Sequence, residues 1–135
     1  MNTAVAAQEE LTKRPRRRPI DRCSKLSDRI RREETQKIRR ILFIVCTFMG
    51  VWPQELKDTR KGHVIPAKQM YYYLCRKLTM ASERMIGELI DRTHGAVSVG
   101  SYAFEDIISL PHERELKIQM EIVERKFKQS YEIII

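Results

Sequence analysis

The segment Ile86-Gly87-Glu88-Leu89-Ile90-Asp91-Arg92-Thr93-His94-Gly95-Ala96-Val97 constrains the fold of this chain more than any other. It joins an apolar helix end to a short turn, and the turn to a helix start built from small residues. That is the layout of a helix-turn-helix. In such a motif the second helix enters the DNA major groove N-terminus first, and bulky side chains at the turn would hold it away from the bases. Gly95 and Ala96 leave that approach open, while Arg92 and His94 place hydrogen-bond donors at the same point. Taken alone, His94 is either such a donor or a local helix cap. No stretch of the chain sustains the period-2 alternation of a strand, so the expected fold class is all-α.

Charge narrows the choice of partner. The chain has 135 residues, enough for one domain with a modest core and a tail, and a net charge of +8. A polyanion is the partner such a balance favours. Between residues 13 and 40 thirteen Lys and Arg stand against four acids, whereas from residue 41 onward thirteen basic residues meet twelve acids. The excess is therefore an N-terminal feature on a nearly neutral body. Residues 1–24 are expected to form a disordered basic arm around Lys13, Arg14, Arg16, Arg17 and Arg18, with Pro15 and Pro19 opposing regular structure. Residues 25–135 are expected to form the helical domain. The arm is either solvated charge or a tether that tracks phosphates and slips into a minor groove.

Apolar periodicity predicts a first helix over residues 26–49, with Glu33 four residues before Lys37. Its inward stripe is Ile38, Ile41, Leu42, Val45, Cys46 and Met49, and Gly50 stops it in the left-handed position after the helix. Pro53 opens a short helical turn over 54–57 with Leu56 inward, and Pro66 suits the first turn of a third helix ending near Leu78. Ser82 caps a fourth helix over 83–90. A fifth runs over 95–108 on Val97, Gly100, Phe104 and Ile108, and a last amphipathic helix starts at Pro111 on Leu116, Met120, Val123 and Phe127. Of Tyr71, Tyr72 and Tyr73, three directions around one helix, Tyr73 is expected in the core and the other two partly exposed. Trp52 is expected to anchor packing beside Gly50 and Pro53.

Several chemistries are not supported. Cys23, Cys46 and Cys75 follow no zinc-ligand spacing, and Cys46 and Cys75 sit in apolar helical patterns as core thiols do. His63, His94 and His112 occupy unrelated contexts. No metal, no cofactor and no catalytic activity are therefore expected. Residues 41–52, the greasiest stretch, are far short of the ~20 residues of a membrane span. No secretory-type start precedes the basic run. A cytoplasmic, nucleoid-associated protein without a membrane partner is the expectation.

Over roughly residues 38–108 the sequence resembles the C-terminal DNA-binding domain of DnaA, the bacterial chromosomal replication initiator. The likeness is carried by Val45-Cys46-Thr47-Phe48-Met49-Gly50-Val51, by Pro53-Gln54-Glu55-Leu56 and by a basic loop with Arg60 and Lys61. It continues through Val64-Ile65-Pro66-Ala67-Lys68-Gln69-Met70 and Leu74-Cys75-Arg76-Lys77-Leu78-Thr79 to Ile86-Gly87, Arg92-Thr93-His94 and Val97. The resemblance implies a compact multi-helix helix-turn-helix domain, a fold also similar to the Trp repressor. It further implies that Arg60, beside Lys61, enters a minor groove, and that Lys68, followed by Gln69, contacts a base in the major groove. Arg92, Thr93, His94, Gly95 and Ala96 would form the DNA-facing start of the second helix. The chemistry is apt: arginine suits a narrow, negative groove, lysine donates to guanine acceptors, and a helix start attracts phosphate.

The departures from the family pattern bear on specificity. Thr93 stands where an acid is usual, Gly95 and Ala96 replace two hydroxyl residues, and the turn is one residue shorter. A site different from, or looser than, the standard DnaA box is implied. No Gly-x-x-x-x-Gly-Lys-Ser/Thr run exists among Gly50, Gly62, Gly87, Gly95 and Gly100, so the initiator's ATPase is not encoded in these residues. Double-stranded DNA is thus the expected partner, in replication or transcription control of a bacterium, prophage or phage. A second reading stays open: a helical adaptor that docks on a protein, or on its own copy, through the C-terminal helix and Ile133-Ile134-Ile135, while the arm binds nucleic acid without reading sequence.

Overall fold

The computed structural model describes residues 24–58 and 62–134. Every regular element among them is helical: α1 (Ser24–Met49), α2 (Pro53–Asp58), α3 (Ile65–Leu78), α4 (Glu83–Glu88), α5 (His94–Ile108) and α6 (Arg114–Ile134). Pro111 begins a short 3-10 turn, Pro111–Glu113, and α6 follows it. The all-α expectation holds. The basic arm from Lys13 to Arg18, Cys23, and the loop residues Arg60 and Lys61 lie outside the described residues. The chain divides into two units, residues 1–33 and 34–135. In the first, Asp28 to Glu33 on the opening turns of α1 are all exposed. The second contains the core.

That core forms where the apolar stripes meet. Ile38, Ile41, Leu42, Val45 and Cys46 of α1, Leu56 of α2, and Val97, Phe104 and Ile108 of α5 join one cluster with Met120, Val123 and Phe127 of α6. Helix α3 is the central element, packed by α2, α4 and α5. Its buried arc is correspondingly wide: Ala67, Met70, Tyr71, Tyr72, Leu74 and Cys75. This reverses the expected order of the tyrosines. Tyr71 and Tyr72 are 0% and 2% exposed, while Tyr73 is only half-buried, its ring 5.3 Å from that of Phe104. A helix covered on several sides has no single wet face, so consecutive residues can all be buried.

Trp52 also departs from expectation, being 73% exposed. The cause is local. Gly50 takes a left-handed φ of 72°, and the Val51 amide returns to the Cys46 carbonyl at 3.0 Å, closing α1 with a Schellman turn. That reversal turns Val51 inward and Trp52 outward. The Trp52 amide donates to Glu55 Oε1 at 2.8 Å, half of a capping box at the start of α2. Trp52 therefore serves the helix start with its backbone, not the core with its ring.

Polar groups fix the remaining joints. Glu34, buried on α1, pairs with Lys37 at 2.9 Å and accepts from the Met80 amide at 2.5 Å, tethering the link between α3 and α4. Lys77 of α3 reaches Glu124 of α6 at 3.1 Å, and Arg40 of α1 donates to the Ser130 hydroxyl. Cys46 and Cys75 are free, buried thiols. Burial, and secondarily Glu55, pushes Cys46 up to about 11, and burial holds Cys75 well above the ordinary range.

Candidate nucleic-acid interface

The turn between α4 and α5 is built from Gly87 and Asp91. The Arg92 amide returns to the Gly87 carbonyl at 2.8 Å and the Asp91 amide to the Glu88 carbonyl at 3.2 Å. These are the paired bonds of a Schellman motif, with Asp91 in the left-handed position at φ 57°. Glycine at 87 is required by contact: a Cβ there would collide with the Arg92 carbonyl and lie 3.1 Å from the Thr93 carbonyl oxygen. The chain can reverse this tightly only because that space is empty.

Helix α5 starts immediately afterwards. Thr93 is its N-cap in extended conformation, its hydroxyl oxygen accepting from the Ala96 amide at 3.2 Å. Ser82 caps α4 in the same way through the Met85 amide. Thr93, His94 and Gly95 are exposed, Arg92 and Ala96 half-buried, and Val97 turns into the core. The first turn of α5 thus presents a cap hydroxyl, an imidazole and a bare backbone to solvent. Thr93 spends its oxygen on the cap and keeps its hydroxyl proton for donation.

Helix α3 sets the tilt of this pair. The Tyr71 hydroxyl donates to the Ile86 carbonyl of α4 at 2.7 Å. The Tyr72 ring lies against Gly100 of α5, where a Cβ would come within 2.6 Å of it and 3.8 Å from Gln69 Cγ. Burial raises Tyr72 to about 12, against the opposing pull of the Arg92 guanidinium. Of the predicted site residues, Gln69 therefore borders the Tyr72–Gly100 contact, and Arg92 acts on Tyr72 through its charge. Lys68 precedes Gln69 on α3 and is half-buried. Arg76, a residue without a predicted role, joins three elements. It pairs with Glu83 at 3.3 Å, donates to the buried Ser101 hydroxyl at 2.7 Å, and lies 4.7 Å above the Tyr102 ring. Nothing in the sequence pairs Arg76 with Ser101, because their proximity exists only once α3 and α5 cross.

A capped second helix, a tight glycine-dependent turn and an exposed first turn form a helix-turn-helix. The family model for the bacterial DnaA protein helix-turn-helix matches residues 38–102. Residues 38–102 form a DnaA-type helix-turn-helix domain. No curated protein and no solved structure matches the chain. The DnaA-type domain runs from the apolar half of α1 to the third turn of α5; the end of α5 and all of α6 lie beyond it. The helix-turn-helix of this family is a DNA-binding class of domain. Among the described residues no cluster of three metal-ligating side chains occurs, and no helix is long and apolar enough to cross a membrane.

Proposed function

We propose that this chain binds duplex DNA by lowering the N-terminus of α5 into the major groove. The reading is carried by the match of residues 38–102 to the DnaA-type family, together with the open first turn of α5. In it, Arg92, Thr93, His94, Gly95 and Ala96 meet the groove, with Lys68 and Gln69 of α3 beside them. Arg60 and Lys61 reach the neighbouring minor groove, and the arm residues Lys13, Arg14, Arg16, Arg17 and Arg18 hold phosphates. The biological setting that fits is control of replication or transcription in a bacterium, prophage or phage, with the protein on the nucleoid.

Gel-shift titration against duplexes selected from a random pool tests the face. Arg60→Ala, Lys68→Ala and Arg92→Ala combined should abolish selective binding, and unchanged binding would defeat the assignment. The arm has a separate signature. Neutralising about five phosphates gives a log–log salt slope of roughly −4 to −5 from the arm. Deleting residues 1–24 should flatten the slope accordingly; an unaltered slope would remove the arm from the interface. Equal binding of all duplexes by the full chain, and none by the truncated body, would instead favour the adaptor reading.

A further inference from the structure

The outward stripe of α5 contains a side chain that neither the fold nor the proposed polar contacts require. Val99 is 72% exposed in the second turn, while Val97, Gly100, Ser101 and Phe104 around it are buried. It lies one turn after Gly95 and three residues before Tyr102, so positions 95, 99 and 102 share one face. Gly95 is not demanded by packing, since a Cβ there would meet only the Thr93 hydroxyl at 3.9 Å. The position one turn before Val99 on this face therefore carries no side chain. At the far end of the stripe Tyr102, 53% exposed, is held by Arg76, whose Nη2 donates to its hydroxyl at 3.4 Å.

We propose that Val99 reads a thymine by packing its isopropyl group on the 5-methyl group in the major groove. This rests on the duplex-binding reading above and names the base that the second turn of α5 selects. The other base edges in that groove are polar donors and acceptors, which a valine would desolvate without return. Among the four standard bases, the thymine methyl is the group there that rewards an apolar side chain. Polar groups at both ends of the stripe, Thr93 and His94 before it and Arg76 after it, leave Val99 as the apolar centre of a polar rim. The same contact would favour 5-methylcytosine over cytosine at that position.

The test uses the full chain and duplexes that it selects from a random pool, remade with deoxyuridine for thymidine one position at a time. Removal of one particular methyl should weaken wild-type binding roughly three- to tenfold, the scale of one buried methyl contact. In Val99→Ala that penalty should vanish, with affinity for the deoxyuridine duplex retained. A merely structural role for Val99 would not alter a methyl preference. Should Val99→Ala keep the wild-type ratio of thymidine to deoxyuridine binding at every position, the proposal fails while duplex binding stands. Selection of no duplex at all by the wild-type chain would overturn the underlying reading and this inference with it.

Discussion

Tyr71 of α3 donates its hydroxyl to the main-chain carbonyl of Ile86 in α4 at 2.7 Å, and both residues are fully buried. The bond satisfies a carbonyl near the end of a six-residue helix, since the Ile90 amide goes to Gly87 instead. Its sequence neighbour Tyr72 has the opposite status: its hydroxyl is buried with no hydrogen-bond partner. The two tyrosines should therefore respond differently to the same change. Tyr71→Phe should cost about 1–3 kcal/mol, because it orphans a buried acceptor, whereas Tyr72→Phe should be neutral or stabilising by up to about 1 kcal/mol. Urea unfolding of both variants, at an unchanged denaturant slope, reads the contrast directly.

The turn offers a second pair. Gly87→Ala drives a Cβ into the Arg92 carbonyl, a backbone atom that cannot move aside alone. A loss of roughly 3 kcal/mol is expected, with duplex affinity falling as the start of α5 is displaced. Asp91→Gly acts in the reverse sense, relieving a left-handed non-glycine residue at φ 57°. A gain of about 1 kcal/mol should follow, visible as a rise in Tm of about 3–6 °C.

Gly100 and Tyr72 form a close contact across α3 and α5. Gly100→Ala would place a Cβ 2.6 Å from the Tyr72 ring and should cost about 1–3 kcal/mol. Because the clash is with the ring and not its hydroxyl, Tyr72→Phe should give no relief. Tyr72→Leu combined with Gly100→Ala should be less destabilised than the sum of the single variants, a coupling that a double-mutant cycle measures.

Stability should fall in alkali. Cys46 is raised from 9.0 to about 11 and Tyr72 from 10.0 to about 12, both chiefly by burial, and Cys75 and Tyr71 rise in the same direction. Between pH 9 and 11 the unfolded chain loses thiol protons that the folded chain keeps. The unfolded state then binds fewer protons, so unfolding becomes easier as pH rises; below that window these groups make no difference. Urea midpoints should be steady up to about pH 8 and decline above it, and Cys46→Ala with Cys75→Ala should flatten the decline.

By itself the sequence determined the helices and the motif. Apolar periodicity placed α1, α3, α5 and α6, Gly50 marked the end of α1 and Ser82 the start of α4, because helix propagation and capping depend on residues within a turn or two of each other. The cap of α5 is Thr93 and not His94. Arg92 was legible in the α4–α5 turn for the same reason, whereas the need for glycine at 87 comes from the approach of the Arg92 carbonyl. Tertiary structure alone decided which faces are covered. Tyr71 and Tyr72 are buried, and Trp52 is not, because burial depends on which helices cross α3 and where the chain turns after Gly50. The Arg76–Ser101 bond and the Tyr72–Gly100 contact join residues at least 25 positions apart. Local pattern has no term for such distances, and packing does.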